Sequence, residues 1–370
     1  MVVDVIVVGG GAMGSAAAWQ LAGRGVEVVL LERFEPGHTQ GASHGASRIF
    51  RLSYPDPVHI ALAREAQGLW RELEQASGEE LLTVTGGVDH GASNRLEQLH
   101  QGLESAGVHS EWLSPAEAGR RWPGLRFDTR ALYHPDSGRL HADRSVAALK
   151  SVAAQRGAVV HHRTRVEKIR VLGDDAVEVR TQEGLTLTAR RVVVAAGAWA
   201  PELLEGVVPL PRLRVTQEQP AHFAPLPTAA PAQNWPSFVH TVDEFHGGIY
   251  GLGTPGEGVK VGFHGVGPEV DPDRRDFRPR PGLAADLEKY VRTWLPGLDP
   301  ATAEAISCTY TTTPDSVFVL DRQGPVVVAA GFSGQGFKFV PAIGRVLADL
   351  AIDGRRPDPI FGLSRPRALV

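Results

Sequence analysis

The stretch DVIVVGGGAMGSAAAWQLAGRGVEVVLLE, Asp4 to Glu32, decides the fold. Its apolar run Val5 to Val8 has the composition of a buried strand, and Ala12 to Leu21 that of a helix packed on it. Between them Gly9, Gly11 and Gly14 spell G-x-G-x-x-G. The first glycine permits a tight turn, the second lets a pyrophosphate approach the main chain, and Gly14 lets helix and strand pack closely. A diphosphate suits the helix start at Ala12 and Met13, where unpaired N–H groups and the helix dipole favour negative charge. Val26 to Leu31 reads as a second parallel strand, closed by Glu32 and Arg33, and an acid there can hold an adenosine ribose hydroxyl. The order is that of a dinucleotide site. The alternative is a glycine-rich turn in another α/β protein with Glu32 merely solvated, and the motif does not choose between FAD and a nicotinamide.

Working outward, the chain of 370 residues is 42% hydrophobic and 22% charged, enough to bury a substantial core and to form two domains. A net charge of −4 without a long basic run gives no electrostatic reason to expect nucleic acid or an anionic membrane as partner. The substrate is therefore expected to be small. Asp4 and the glycine cluster interrupt the first apolar run and no basic segment precedes it, so it reads as strand, turn and helix and not as a signal peptide. No other segment is apolar for long enough to span a bilayer. A single cysteine excludes an intrachain disulfide and a multi-cysteine metal site, which points to a reducing compartment, most simply the cytoplasm.

The loop Pro36 to Ser47 carries three glycines with His38 and His44, and runs into Arg48 and Arg51, either surface charge or part of the cofactor site. Val58 to Glu74 has helical spacing, with Leu62, Ala66, Leu69, Trp70 and Leu73 on one side. Thr83 to Val88 reads as a strand, Leu96 to Ala106 as a helix, and Ser114 to Glu117 as a capping box. Ala142 to Ala154 reads as a helix, followed by short strands at Val159 and Val166 and a hairpin, Val177 to Arg180 with Leu185 to Ala189. Val192 to Trp199 is a β-branched run ending in small residues, Ala196 and Gly197 among them, a second place for a cofactor. Pro209 to Pro236 is proline-rich and reads as edge strands and linkers. Ile249 to Phe263 reads as paired strands, in which Lys260 is expected to face solvent because unpaired burial of a charge is costly. Leu283 to Trp294 reads as a helix. Val326 to Ala330 is a buried strand, and the loop Gly331 to Lys338 repeats the strand-then-glycine design before a helix Ala342 to Leu350. Cys308, from pattern alone, is a small buried apolar residue.

Taken together these residues resemble the monomeric sarcosine oxidase and N-methyltryptophan oxidase family of FAD amine oxidases. The resemblance runs through GGGAMG at Gly9 to Gly14, SHGASRIFR at Ser43 to Arg51, RWPG at Arg121 to Gly124 and AGAW at Ala196 to Trp199. It continues through VKVGFH at Val259 to His264, CTYT at Cys308 to Thr311 and GFSGQGFKF at Gly331 to Phe339. Where the family often has paired histidines and an acid before Arg48, this chain has Ser43 and Ala46.

The resemblance implies a function for each matching position. Cys308 matches the cysteine that bonds covalently to the methyl group of the flavin's benzenoid ring. Lys260 matches the lysine that activates oxygen, where a cation stabilises developing negative charge. Arg51 and Lys338 match the pair that clamps the substrate carboxylate. Tyr250, His264 and Tyr310 match the pocket lining, while His44, Ser47 and Arg48 lie beside the flavin. Val166 matches a stretch at the adenine end, and Gly331, Gly334, Gly336 and Phe337 belong to the returning C-terminal loop. The implied fold is α/β with an α+β second domain: a Rossmann-like FAD-binding domain from 1–80, 140–213 and 305–370, and a mainly antiparallel substrate-binding domain from 81–139 and 214–304. The implied function is oxidation of a secondary amino acid, sarcosine or another N-methyl or cyclic one. Hydride passes to FAD, O2 becomes H2O2, and the chain acts as a monomer. The rivals are an FAD-dependent dehydrogenase with another electron acceptor and a flavin-binding subunit without turnover.

Overall fold

The computed structural model describes residues 2–91, 94–227, 235–245 and 248–365. Part of the proline-rich stretch, 228–234, lies outside the described residues. The opening segment forms the strand Val2–Val8, the helix Ala12–Ala22 and the strand Val28–Leu31, which is shorter than expected by Val26 and Glu27. The first strand lies between Val28–Leu31 and the end of Thr186–Val194, parallel to both. Its side chains are buried on both faces, Val5 and Val7 against the helices and Ile6 and Val8 in a second core. That explains its continuous apolar run.

Two large sheets organise the described residues. The first is eight-stranded and holds the glycine loop at the end of its central strand. The expected hairpin and the following β-branched run share one long strand, Thr186–Val194. Its start pairs antiparallel with Ala176–Thr181, and its end runs parallel to Val326–Ala330. The helices Ala12–Ala22, Pro57–Ser77, Ala142–Gln155 and Val340–Ile352 cover one face of this sheet around the fully buried Trp19 and Trp70. Fully burying an aliphatic or aromatic side chain of this size stabilises by roughly 1.5–3 kcal/mol. The helix Pro57–Ser77 starts at Asp56, whose side chain accepts from the His59 N–H, and ends at Gly78 with φ 72°.

The second sheet is also eight-stranded and antiparallel except where Gly87–Gly91 runs beside Ser237–Thr241. Its apolar face packs against the helix Pro281–Trp294. The single strand expected over Thr83 to Val88 is two: Leu82–Val84 joins a small three-stranded sheet and Gly87–Gly91 the second large one. Gly86 makes the break, with φ +77° and so close to the Tyr133 ring that a Cβ would lie 2.6 Å from it. Among the described residues no helix is long and apolar enough to cross a membrane.

Candidate active site

A cavity of about 1130 Å³ is lined by residues of both large sheets. Gly9 opens it with φ +100°, and a Cβ there would fall 2.5 Å from the Ala195 carbonyl oxygen, so only glycine lets the two strand ends meet. Both oxygens of Glu32 accept main-chain N–H groups, from Gly10 at 2.7 Å and Phe34 at 2.8 Å. The carboxylate thus holds the glycine loop in shape while retaining lone pairs toward the cavity. Ser43, where the family pattern differs, has its hydroxyl accept the Ala12 N–H at 3.0 Å. Beyond Glu32, the Arg33 guanidinium stacks over Phe34 and Trp199, and Asp273 accepts from both Arg33 and the Trp199 indole. Val166, Ala196 and Gly197 complete this end of the wall.

The cavity is also lined by Met13, His44, Arg48, Cys308, Lys260 and the loop glycines Gly331, Gly334 and Gly336. Arg48 donates to the carbonyls of Ala42, His44 and Ser47 and lies over the Phe337 ring. The fixed cation and burial hold His44 down to about 4, burial being the larger cause, so the imidazole is neutral. Its Nε2 is buried without a hydrogen-bond partner among the described residues. Lys260, expected to face solvent, is 5% exposed and donates to the Ser47 carbonyl. Burial first, then Arg48, lowers its pKa well below the usual lysine value. Cys308 is partly buried, with its sulfur 3.8 Å from the Thr309 carbonyl oxygen.

The far end brings together residues from four separate parts of the chain. Arg51 lies over the Tyr54 ring at 5.1 Å and the Lys338 ammonium over the same ring at 5.6 Å. Lys338 is 6% exposed and donates to the Gln335 carbonyl at 2.7 Å. Burial and the neighbouring Arg51 lower its pKa well below the ordinary value. His264 packs on Tyr310 with ring centroids 5.2 Å apart, and Tyr310 hydrogen-bonds Tyr250. Burial, helped by Arg51, Lys338 and Arg95, holds His264 down to about 4. Burial raises both tyrosines, so this lining is polar and uncharged.

Two expected cofactor contacts do not line the cavity. Gly14 serves packing alone, since its Cβ would lie 1.9 Å from the Gly9 carbonyl oxygen. Ser47 turns its hydroxyl away to Thr254 at 2.7 Å and presents its carbonyl to Lys260. The sequence reading missed Asp89, His90, Arg95, His222 and Glu257, all on the wall. Asp89 is buried and accepts from Arg51 at 3.2 Å and Ser53 at 3.0 Å, with His134 Nε2 at 2.8 Å. Asp89 falls just past the strand expected to end at Val88, in the sequence Gly-Val-Asp-His-Gly, and its partners lie 36 to 45 positions away.

These donors fit FAD. The glycine cradle and Glu32 suit a diphosphate and a ribose, and the cavity continues past an orphaned His44 nitrogen and a free thiol to the paired cations. Fold and cavity together define an oxidoreductase that carries a flavin dinucleotide. The family model for FAD dependent oxidoreductases, DAO, matches residues 4–350, and the chain belongs to that family. It is 36% identical to the monomeric sarcosine oxidase of Bacillus sp. strain NS-129, over 98% of this chain and 96% of that one. It is 29% identical to the N-methyl-L-tryptophan oxidase of Yersinia pestis strain Pestoides F, over 98% and 99%. Among solved structures, NikD, an unusual amino acid oxidase essential for nikkomycin biosynthesis, matches in its open form with a TM-score of 0.86 and 28% identity, over 100% and 99% of the two chains.

Proposed function

We propose that the protein is an FAD-dependent amine oxidase that acts on the CH–NH group of a secondary amino acid, sarcosine or another N-methyl or cyclic one, with O2 as acceptor. The observation that carries this reading is the meeting of Arg51 and Lys338 over one Tyr54 ring at the end of a dinucleotide cavity. Two cations from distant segments suit one carboxylate, the planar guanidinium as a fork and the ammonium as a point charge. Their charge also disfavours a substrate ammonium, so the amine is held in the neutral form that can release hydride. His264, Tyr250 and Tyr310, all uncharged, orient the substrate and leave the clamp as its charge partner.

Bound FAD would supply the redox chemistry, accepting hydride from the carbon beside nitrogen and returning two electrons to O2 as H2O2. Gly9, Gly11, Ala12, Met13 and Glu32 would hold its diphosphate and ribose, with Arg33, Val166, Ala196, Gly197 and Trp199 around the adenine end. His44, Arg48, Gly331, Gly334, Gly336 and Phe337 would enclose its ring system, and Lys260 would stabilise charge developing on oxygen. The Cys308 thioether would form with loss of one methyl C–H and the S–H, the two electrons passing to O2 to give H2O2. In this reading 1–80, 140–213 and 305–370 carry the cofactor and also supply Arg51, Tyr310 and Lys338 to the substrate site, and 81–139 and 214–304 form the substrate-binding domain, which adds Tyr250 and His264. The protein acts as a monomer in the cytoplasm, in keeping with its single unpaired cysteine.

The test is anaerobic titration of purified protein with sarcosine, other N-methyl amino acids, pipecolate and proline while flavin absorbance is followed. Bleaching by one of them, reversed by air with release of H2O2, is the expected result. Tight flavin binding with no bleaching by any amino acid overturns it, and bleaching reversed only by an artificial acceptor makes the protein a dehydrogenase.

A further inference from the structure

A second connected set of titratable side chains on the cavity wall takes no part in holding the substrate: Glu257, His222 and Lys260. His222, in the strand Ala221–Phe223, is the register partner of Lys260 in the antiparallel strand Gly258–Phe263. Directly opposite residues share a face of the sheet, with Cβ atoms about 4.5–5.5 Å apart. On its other side, His222 Nε2 lies 3.3 Å from a carboxylate oxygen of Glu257, in the turn leading into the lysine's strand, within ion-pair distance but with no hydrogen bond formed to it among the described residues. Lys260 and His222 are both buried, whereas the Glu257 side chain is 47% exposed against 9% for that of His222.

Lys260 therefore has the Ser47 carbonyl inside and His222 toward solvent. A buried ammonium that gives up a proton needs a path by which to regain one. The charged groups acting on Lys260 are Arg48, Cys308, Glu257 and Asp143, and the one acting on His222 is Lys260, with the Glu257 carboxylate facing its ring at 3.3 Å.

Resting on the oxidase reading above, we propose that Glu257 and His222 form the proton-supply route to Lys260 during reduction of dioxygen. The balance is reduced flavin anion plus O2 plus H⁺ giving oxidised flavin plus H2O2. Bound reduced flavin would supply two electrons and one proton, and the second proton would come from the Lys260 ammonium. His222 then hands a proton to the lysine amine from one ring nitrogen and takes another at the nitrogen facing Glu257, which draws on solvent. Burial and the charge of Lys260 hold His222 down to about 4, so the ring is neutral and offers one donor and one acceptor, as a relay requires.

The test uses the holoenzyme with its flavin reduced by light or dithionite, no amine being present, mixed with oxygenated buffer. His222→Ala is expected to slow reoxidation by at least about tenfold. It should also introduce a solvent deuterium isotope effect that the parent lacks, and added imidazole should restore the rate. His222→Gln, which preserves a polar side chain, should be slow as well, and Glu257→Gln should slow less. Independently of turnover, NMR titration of the His222 ring in the oxidised protein should show its pKa rise in Lys260→Met and fall in Glu257→Gln. Parent-like reoxidation in both His222 variants, or slow reoxidation that imidazole leaves unchanged, overturns the route. If that happens while Lys260→Met is slow, the oxidase reading stands and the route alone is lost. Full-speed reoxidation in Lys260→Met removes the lysine's oxygen role and the route with it.

Discussion

The guanidinium of Arg51 and the carboxylate of Asp89 form an ion pair at 3.2 Å on the wall of the cavity, with the Asp89 side chain 4% exposed. Burial pushes the Asp89 carboxyl up, but the hydrogen bond from His134 and the charge of Arg51 bring it net below the usual value, so it stays ionised. Asp89 is thus the counter-ion that keeps Arg51 oriented when no substrate carboxylate is present.

Asp89→Asn keeps the shape and removes the charge. It is expected to destabilise the ligand-free holoenzyme by about 3 kcal/mol, because Arg51 is left without its counter-ion. A carboxylate ligand should then replace what was lost. Binding of (methylthio)acetate, with sulfur in place of the amine, should raise Tm more in Asp89→Asn than in the parent. Equal ligand-induced shifts in the two proteins would sink this account of Asp89.

Cys308 lies on the cavity wall with no disulfide partner. Cys308→Ser changes one atom of a partly buried side chain, so the fold should survive it. Acid precipitation of the parent should give a yellow pellet, and of Cys308→Ser a colourless pellet with free FAD in the supernatant. A yellow pellet from the variant would place the linkage elsewhere or remove it.

What the sequence made legible was local. The strand, glycine turn, helix and second strand of the first 32 residues are encoded by neighbours in the chain, and the paired strands around Gly256 likewise. What it hid was pairing at long range. A lysine alternating with valines reads as solvated until the carbonyl of Ser47, 213 positions earlier, is known to meet it. Asp89 needs Arg51, Ser53 and His134, and His222 meets Lys260 only through strand register. The split of Thr83 to Val88 between two sheets falls at Gly86, whose positive φ and closeness to the ring of Tyr133, far along the chain, leave no room for a side chain.

Gly14 separates packing from cofactor contact. A methyl group there would overlap the Gly9 carbonyl, which the turn cannot move without losing the contact of Gly9 with Ala195. Gly14→Ala should therefore cost roughly 3 kcal/mol and weaken FAD binding through the displaced turn. Chemical denaturation with and without added FAD checks both. A variant of parental stability that merely binds FAD less well would mean that Gly14 meets the cofactor directly.

His90 and His240 stack at 3.9 Å, and His240 Nδ1 lies 3.0 Å from the Tyr290 hydroxyl. Burial holds His240 down to about 4, and burial with the neighbouring His240 takes His90 well below its ordinary value. In the unfolded chain both titrate near 6.5, so between that pH and about 4 the unfolded state binds more protons than the native one. Stability is then fully present above about 6.5 and is lost as pH falls through this window. Urea unfolding at pH 7.5, 6 and 5 should show the decline before buried carboxylates such as Asp89 begin to protonate. His90→Phe keeps the stack on Phe127 and His240 and removes a ring whose Nδ1 has no hydrogen-bond partner among the described residues. It should be about 1 kcal/mol or more better than the parent at pH 5 and closer to it at pH 7.5. An equal effect at both pH values would assign the gain to packing and not to the proton.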